Sequence, residues 1–201
     1  MNSAIKPFLQ AIDDDLSPLR GVIERLASSD ANVEPTTGAL RLSHRPEIGT
    51  EAYACVLYPG IGLDVIDQYE SVHRARLSRY LDTPAFYKNL LTRLNGAFLF
   101  NTAFFGIPPS MTRNPPLLDR SALQPLDVCT ANDIWRCEYG VVPSNFYFAS
   151  GPHSDNENVG YFLTPNNRVE AYLVGEKKIG EWAGMAAFLT EELERAELAF
   201  G

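Results

Sequence analysis

With 201 residues, 45% of them hydrophobic and 11% aromatic, the chain can bury one sizeable core and suits a single domain; its composition excludes a disordered protein. A formal net charge of −8 and a sequence pI near 4.9 count against nucleic acid and anionic membranes, which reward Lys and Arg; they suit a basic protein partner, although the same charge also serves solubility. No apolar run approaches the ~18 residues of a membrane span, the segment Met1–Pro7 lacks a signal-peptide layout, and Cys55, Cys129 and Cys137 include no close pair, so a reducing cytoplasm without a disulfide framework is expected.

Residues 1–28 carry Ile5, Phe8, Leu9, Ile12, Leu16, Leu19, Ile23 and Leu26 at three- and four-residue steps, which predicts helix. Ser17-Pro18 reads as an N-cap followed by proline at the first helical position, so two helices or one kinked helix are expected. Residues 29–51 are polar and turn-rich, fitting short strands or a linker. The stretch Glu51–Tyr58 reads as a strand, and Leu63, Val65, Ile66, Tyr69 and Val72 as a helix with Asp64 as its candidate cap. A further helix is predicted over 84–95, with Thr83 capping it, Phe86, Tyr87, Leu90, Leu91 and Leu94 on its apolar face, and Asn95-Gly96 ending it.

From Ala97 the period changes, and Ala97-Phe98-Leu99-Phe100 and Ala103-Phe104-Phe105 read as buried strands. Residues 107–125 hold five prolines and read as a surface loop. Strands follow at 145–150, 159–163 and 169–174, the last two joined as a hairpin by Thr164-Pro165-Asn166-Asn167. The last 23 residues return to helix, chiefly 182–197, with Ile179, Trp182, Met185, Leu189, Leu193 and Ala196 on one face. Phe98, Phe100 and Trp182 are expected core residues. The order of elements predicts an α+β fold, an antiparallel or mixed β-sheet with helices packed mainly on one face.

The residues that could carry chemistry do not converge. His153 lies among Ser154, Asp155, Asn156, Glu157 and Asn158, but a metal site needs rigid, convergent ligands, and a solvated loop between strands accounts for this segment better. No phosphate loop, dinucleotide fingerprint or nucleophile elbow is present. Cys55 and Cys129 sit among apolar residues, where a thiol packs, and Cys137 lies between Arg136 and Glu138. The acids of the last helix fit a solvated face. These residues point to no enzyme, no metal and no cofactor.

The run FYKNLLTRLNGAFLFNTAFFGIP, ending at Pro108, joins a helix closing on Asn95-Gly96, a hydrophobic strand at Phe98-Leu99-Phe100 and a glycine-bearing turn at Phe105-Gly106-Ile107-Pro108. Trp135, Phe146-Tyr147-Phe148, Gly160-Tyr161-Phe162 and the spacing of Trp182 to Phe188-Leu189 follow in order. This pattern resembles the SUKH superfamily, the Smi/Knr-type domain, over roughly residues 60–198. The resemblance implies a SUKH-like α+β domain with no catalytic residues. It also implies an immunity protein that binds and neutralises a cognate toxin, a basic nuclease or deaminase. The alternatives are a regulatory scaffold for an endogenous partner and an enzyme using His153 with Asp155 or Glu157 in the 151–158 loop. The whole chain, 1–201, reads as one domain, with 1–50 either part of it or an N-terminal helical extension. Asp127, Asp133, Glu138, Tyr139, Asp155 and Glu157, read as loop residues beside the sheet, are the candidate partner contacts, chosen for charge and position.

Overall fold

A computed structural model describes residues 3–28, 30–47, 52–76, 82–108, 124–154 and 157–200. Its helices are α1 (Lys6–Ala11), α2 (Ser17–Ala27), α3 (Leu63–Arg76), α4 (Ala85–Leu91), α5 (Val128–Asp133) and α6 (Met185–Phe200). Its strands are β1 (Ala31–Val33), β2 (Leu40–His44), β3 (Tyr53–Pro59), β4 (Leu94–Leu99), β5 (Thr102–Phe104), β6 (Phe146–Ser154), β7 (Glu157–Leu163), β8 (Val169–Leu173) and β9 (Lys177–Trp182). Among the described residues these nine strands form one antiparallel sheet in chain order, so every neighbouring pair of strands is also consecutive in sequence. The α+β class is as expected.

Both halves of the sheet belong to one core. Ile5, Phe8, Leu9, Leu16, Leu19 and Ile23 of the first two helices are buried in the same cluster as Leu40 and Leu42 of β2 and Phe188, Leu189 and Leu193 of α6. Residues 31–44, one polar segment in the sequence, supply the first two strands.

The two faces of the sheet separate cleanly in β7, where neighbouring side chains point to opposite sides. Tyr161 meets Phe188 of α6 with ring centroids 4.7 Å apart, and Phe188 also reaches Phe104 and Phe148. Phe162 stacks on Tyr147 at 4.8 Å and meets Tyr139 and Tyr172 edge-on. Helix α6 therefore covers one face, while α5 and the 3₁₀ turn Trp135–Tyr139 cover the other over β6–β8.

Several local expectations need correction. Ser17 lies inside α2, and its hydroxyl donates to Asp14 O at 2.8 Å; a 3₁₀ turn at Asp14–Leu16 separates α1 from α2. Helix α4 begins at Ala85 without a side-chain cap, because the N-cap position falls on Pro84, which offers no side-chain acceptor, and not on Thr83. It ends at Leu91, four residues before the expected Asn95-Gly96 stop, and those two residues belong to β4. The two buried strands expected within 97–105 are present, though each is placed slightly differently. They are the closing half of β4 and β5, with Phe100 in the intervening turn at φ 57 and Phe105 just past β5. Ile179 and Trp182 belong to β9, not to the closing helix, and Ile179 is exposed. Phe100 is buried as expected, whereas Phe98 and Trp182 are only half-buried against the core. Of the expected proline-rich loop, residues 109–123 lie outside the described residues.

Candidate binding cleft

Gly96 and Gly106 create a corner that positions the cleft. Gly96 has φ +79, and a Cβ there would stand 2.7 Å from Phe104 O. A Cβ on Gly106 would stand 2.4 Å from Asn95 O. Only glycine lets these two backbones approach so closely. The Asn95 side chain then locks the corner, donating to Ile107 O and accepting from Ile107 N, both at 2.8 Å. Gly106 N donates to Leu126 O at 2.8 Å and Gly106 O accepts from Val128 N at 2.9 Å, which brings residues 126–128 alongside.

Helix α3 forms the facing wall. Val65, Gln68, Tyr69 and Val72 recur at three- and four-residue steps and present one stripe. Ile66, Tyr69, Glu70 and His73 anchor the helix on its buried side, whereas Val65 and Val72 remain 43% and 40% exposed. Between stripe and corner lies a cleft of about 450 Å³, whose opposite wall includes Tyr58, Pro59, Ile61, Ile107 and Pro125. That volume falls in the range of about 300–1,000 Å³ typical of ligand sites.

The polar groups around the cleft are mostly committed to structure. The Tyr69 hydroxyl donates to Asp127 Oδ1 and accepts from Cys129 N at 3.3 Å. Burial, with the Asp127 carboxylate and Cys129 adding to it, pushes the Tyr69 phenol far above its ordinary pKa, so it remains a donor. Asp127 caps α5, accepting from Cys129 N at 2.8 Å and Thr130 N at 3.2 Å. Tyr69 also packs on His73, ring centroids 4.3 Å apart. Behind Thr37, the buried Glu34 accepts from Thr36 N, Thr37 N and Thr37 Oγ1. Burial alone would raise the Glu34 pKa, but those donors outweigh it and hold the carboxyl below its usual value. On the helix's other flank, Lys88 reaches Glu70 at 2.5 Å and Asp67 at 3.3 Å. Among the described residues no Lys or Arg lines the cleft.

A second carboxylate–tyrosine centre lies under α6 and is closed. Glu192 is 3% exposed and accepts from Thr102 Oγ1 at 2.5 Å, Tyr161 OH at 2.7 Å and both arms of Arg195 at 2.7 and 2.8 Å. Arg195 also donates to Pro152 O. This network ties α6 to β5, β6 and β7.

The six sequence-derived contact candidates do not form one surface. Asp127 sits at the cleft, on Tyr69. Asp133 ends α5 and Glu138 lies in the following 3₁₀ turn, both exposed. Tyr139 is 3% exposed and packs on Tyr147 and Phe162, so it is a core residue and not a contact anchor. Glu157 is exposed but lies in β7 and not in a loop, and alternation puts it on the α6 face with Val159 and Tyr161, away from Asp133 and Glu138. Asp155 lies outside the described residues. His153 is exposed on β6 beside a register shift. Among the described residues no group of three His, Cys, Asp or Glu side chains is arranged to hold a metal ion, and no helix is long and apolar enough to cross a membrane. Cys55 and Cys129 are buried and Cys137 exposed; burial pushes the Cys55 thiol up to about 12.

Val65, Val72, Asn95 and Ile107 are cleft residues that charge and motif do not single out as a site in the sequence. The available signal was the apolar spacing of α3, in which Leu63, Val65 and Val72 make the stripe wider than one buried face needs. The chain matches no protein-family model, no curated protein and no solved structure.

Proposed function

We propose that the chain is a non-catalytic protein-binding domain of SUKH type, an immunity protein that occupies a basic toxin, and that the α3 cleft is its contact surface. The observation that carries this reading is the exposed Val65–Val72 stripe opening onto an apolar cleft in a chain of net charge −8. Exposed apolar surface next to a concavity costs solvation unless a partner covers it, and such patches mark interaction sites. The acidic charge of the whole molecule speeds encounter with a cationic partner. The SUKH resemblance of the run ending at Pro108 points to the toxin, since many bacterial members of that superfamily are immunity proteins whose cognate toxin is often a nuclease or deaminase.

The test is to purify the products of the genes adjacent to this one and titrate each with the chain by calorimetry, alongside an assay of the product's own nuclease or deaminase activity. A single tight complex with stoichiometric loss of that activity is expected. The reading fails if no adjacent product binds.

A further inference from the structure

The cleft is short and already walled, and among the described residues its lining carries no charged side chain, although carboxylates outnumber cations around it. Val65 and Val72 are seven residues apart on α3, a length of about 10 Å along the helix axis. An extended chain advances about 7 Å between side chains that point the same way, so the cleft accommodates two such side chains. The carboxylates near it come from three elements. Asp64 is exposed beside Val65, Asp127 stands on Tyr69, and Glu34 lies behind Thr37. Of the nearby cations, Lys88 is engaged by Glu70 and Asp67 on the other flank of α3, and Arg41, whose charge reaches Tyr58, lies over the Tyr53 ring.

Resting on the protein-binding reading above, we infer that the cleft between α3 and the Asn95–Gly106 corner seats a short extended segment of the partner carrying two alternate apolar side chains flanked by Arg or Lys. The apolar side chains enter between the Val65–Val72 stripe and Tyr58, Ile61 and Ile107, and the flanking cation stays at the wet rim by Asp64. A rim cation contributes more to encounter and selectivity than to residence, while the buried side chains set dissociation.

The experiment uses two dye-labelled synthetic peptides with the same pair of alternate leucines, one flanked by arginines and one by glutamates, read by fluorescence anisotropy against the full chain. The arginine-flanked peptide should bind saturably at one site and about tenfold more tightly than its counterpart, the preference shrinking at 1 M salt where the screening length is about 3 Å. Substituting Val65→Gln and Val72→Gln together should weaken it by about tenfold. Both positions are exposed and Gln sustains helix, so an unchanged melting temperature separates lost binding from lost folding. Asp64→Asn should narrow the preference between the peptides while leaving the Val65/Val72 dependence in place.

Equal binding of the two peptides, or full binding by the Val65/Val72 variant, overturns the inference. So does a dimer in sedimentation velocity that the Val65/Val72 variant dissolves, which would make a second copy the occupant. If an adjacent gene product binds but ignores the Val65/Val72 substitutions, this inference fails and the protein-binding reading stands. If no adjacent product binds, that reading falls, and this one with it.

Discussion

The molecule uses the same pairing, a tyrosine hydroxyl on a carboxylate, at two places with opposite surroundings. Under α6, Tyr161 and Glu192 are sealed with Thr102 and Arg195 into a network that ties the closing helix to three strands. At the cleft, Tyr69 and Asp127 fix α3 to the start of α5, but the helix beside them keeps Val65 and Val72 exposed. A satisfied buried network spends its polar groups on specifying the fold. A satisfied polar pair at the edge of an open apolar cleft leaves shape and hydrophobicity free for something else. The comparison separates the part of the chain that holds itself together from the part available to a partner.

Removing the carboxylates should divide the two centres most sharply. Glu192→Ala leaves Arg195, Tyr161 and Thr102 without their shared acceptor and should cost about 3 kcal/mol in urea unfolding, at the lower end for a broken buried pair because Arg195 is partly solvated. Asp127→Ala removes a helix cap from a half-buried position and should cost about 1 kcal/mol. Equal losses would erase the distinction.

Between these lies the corner itself. Gly96→Ala must hold a left-handed residue and push its Cβ toward Phe104 O, so a loss of about 1–3 kcal/mol is expected, measured by thermal or urea unfolding. The double change of Val65 and Val72 to Gln should lie within about 0.5 kcal/mol of the parent, as for surface substitutions. A large loss would mean that the stripe belongs to the core.

The smallest effect is chemical. Native protein should react with a thiol reagent at Cys137 alone, and at all three cysteines only when unfolded, because Cys55 and Cys129 are buried and the Cys55 thiol is held up to about 12. Rapid native labelling of Cys129, which lies in α5 next to the cleft, would show that this region opens.

The strand and helix content was legible wherever one period ran unbroken. Val159–Leu163, Val169–Leu173 and the α3 spacing read directly from alternation or from three- and four-residue steps. The failures share a cause, in that tertiary contacts overrode local signals. Asn95-Gly96 has the composition of a helix stop, yet Asn95 is spent on Ile107 and Gly96 on a close approach to β5, contacts made across ten or more residues or between strands. Trp182 fits the helical register of Met185 and Leu189 from within a neighbouring strand, and its ring still reaches Phe188 at 5.2 Å. The contact candidates suffered most, because charge in the sequence says nothing of which face it occupies. Asp127 reached the cleft only because Gly106 draws residues 126–128 beside the corner.

The alternative to the cleft is the exposed, acid-flanked region where the 3₁₀ turn meets the turn between β8 and β9. There Ile134, Val142 and Val174 are exposed near Asp133 and Glu138, and Gly175 N donates to Glu138 O. Hydrogen–deuterium exchange of the chain, free and in complex with the partner found among its adjacent gene products, decides between them. New protection is expected along residues 63–72 and at Ile107, with residues 133–142 and 174–176 unchanged. Protection confined to 133–142 and 174–176, with α3 exchanging as in the free chain, would contradict that expectation.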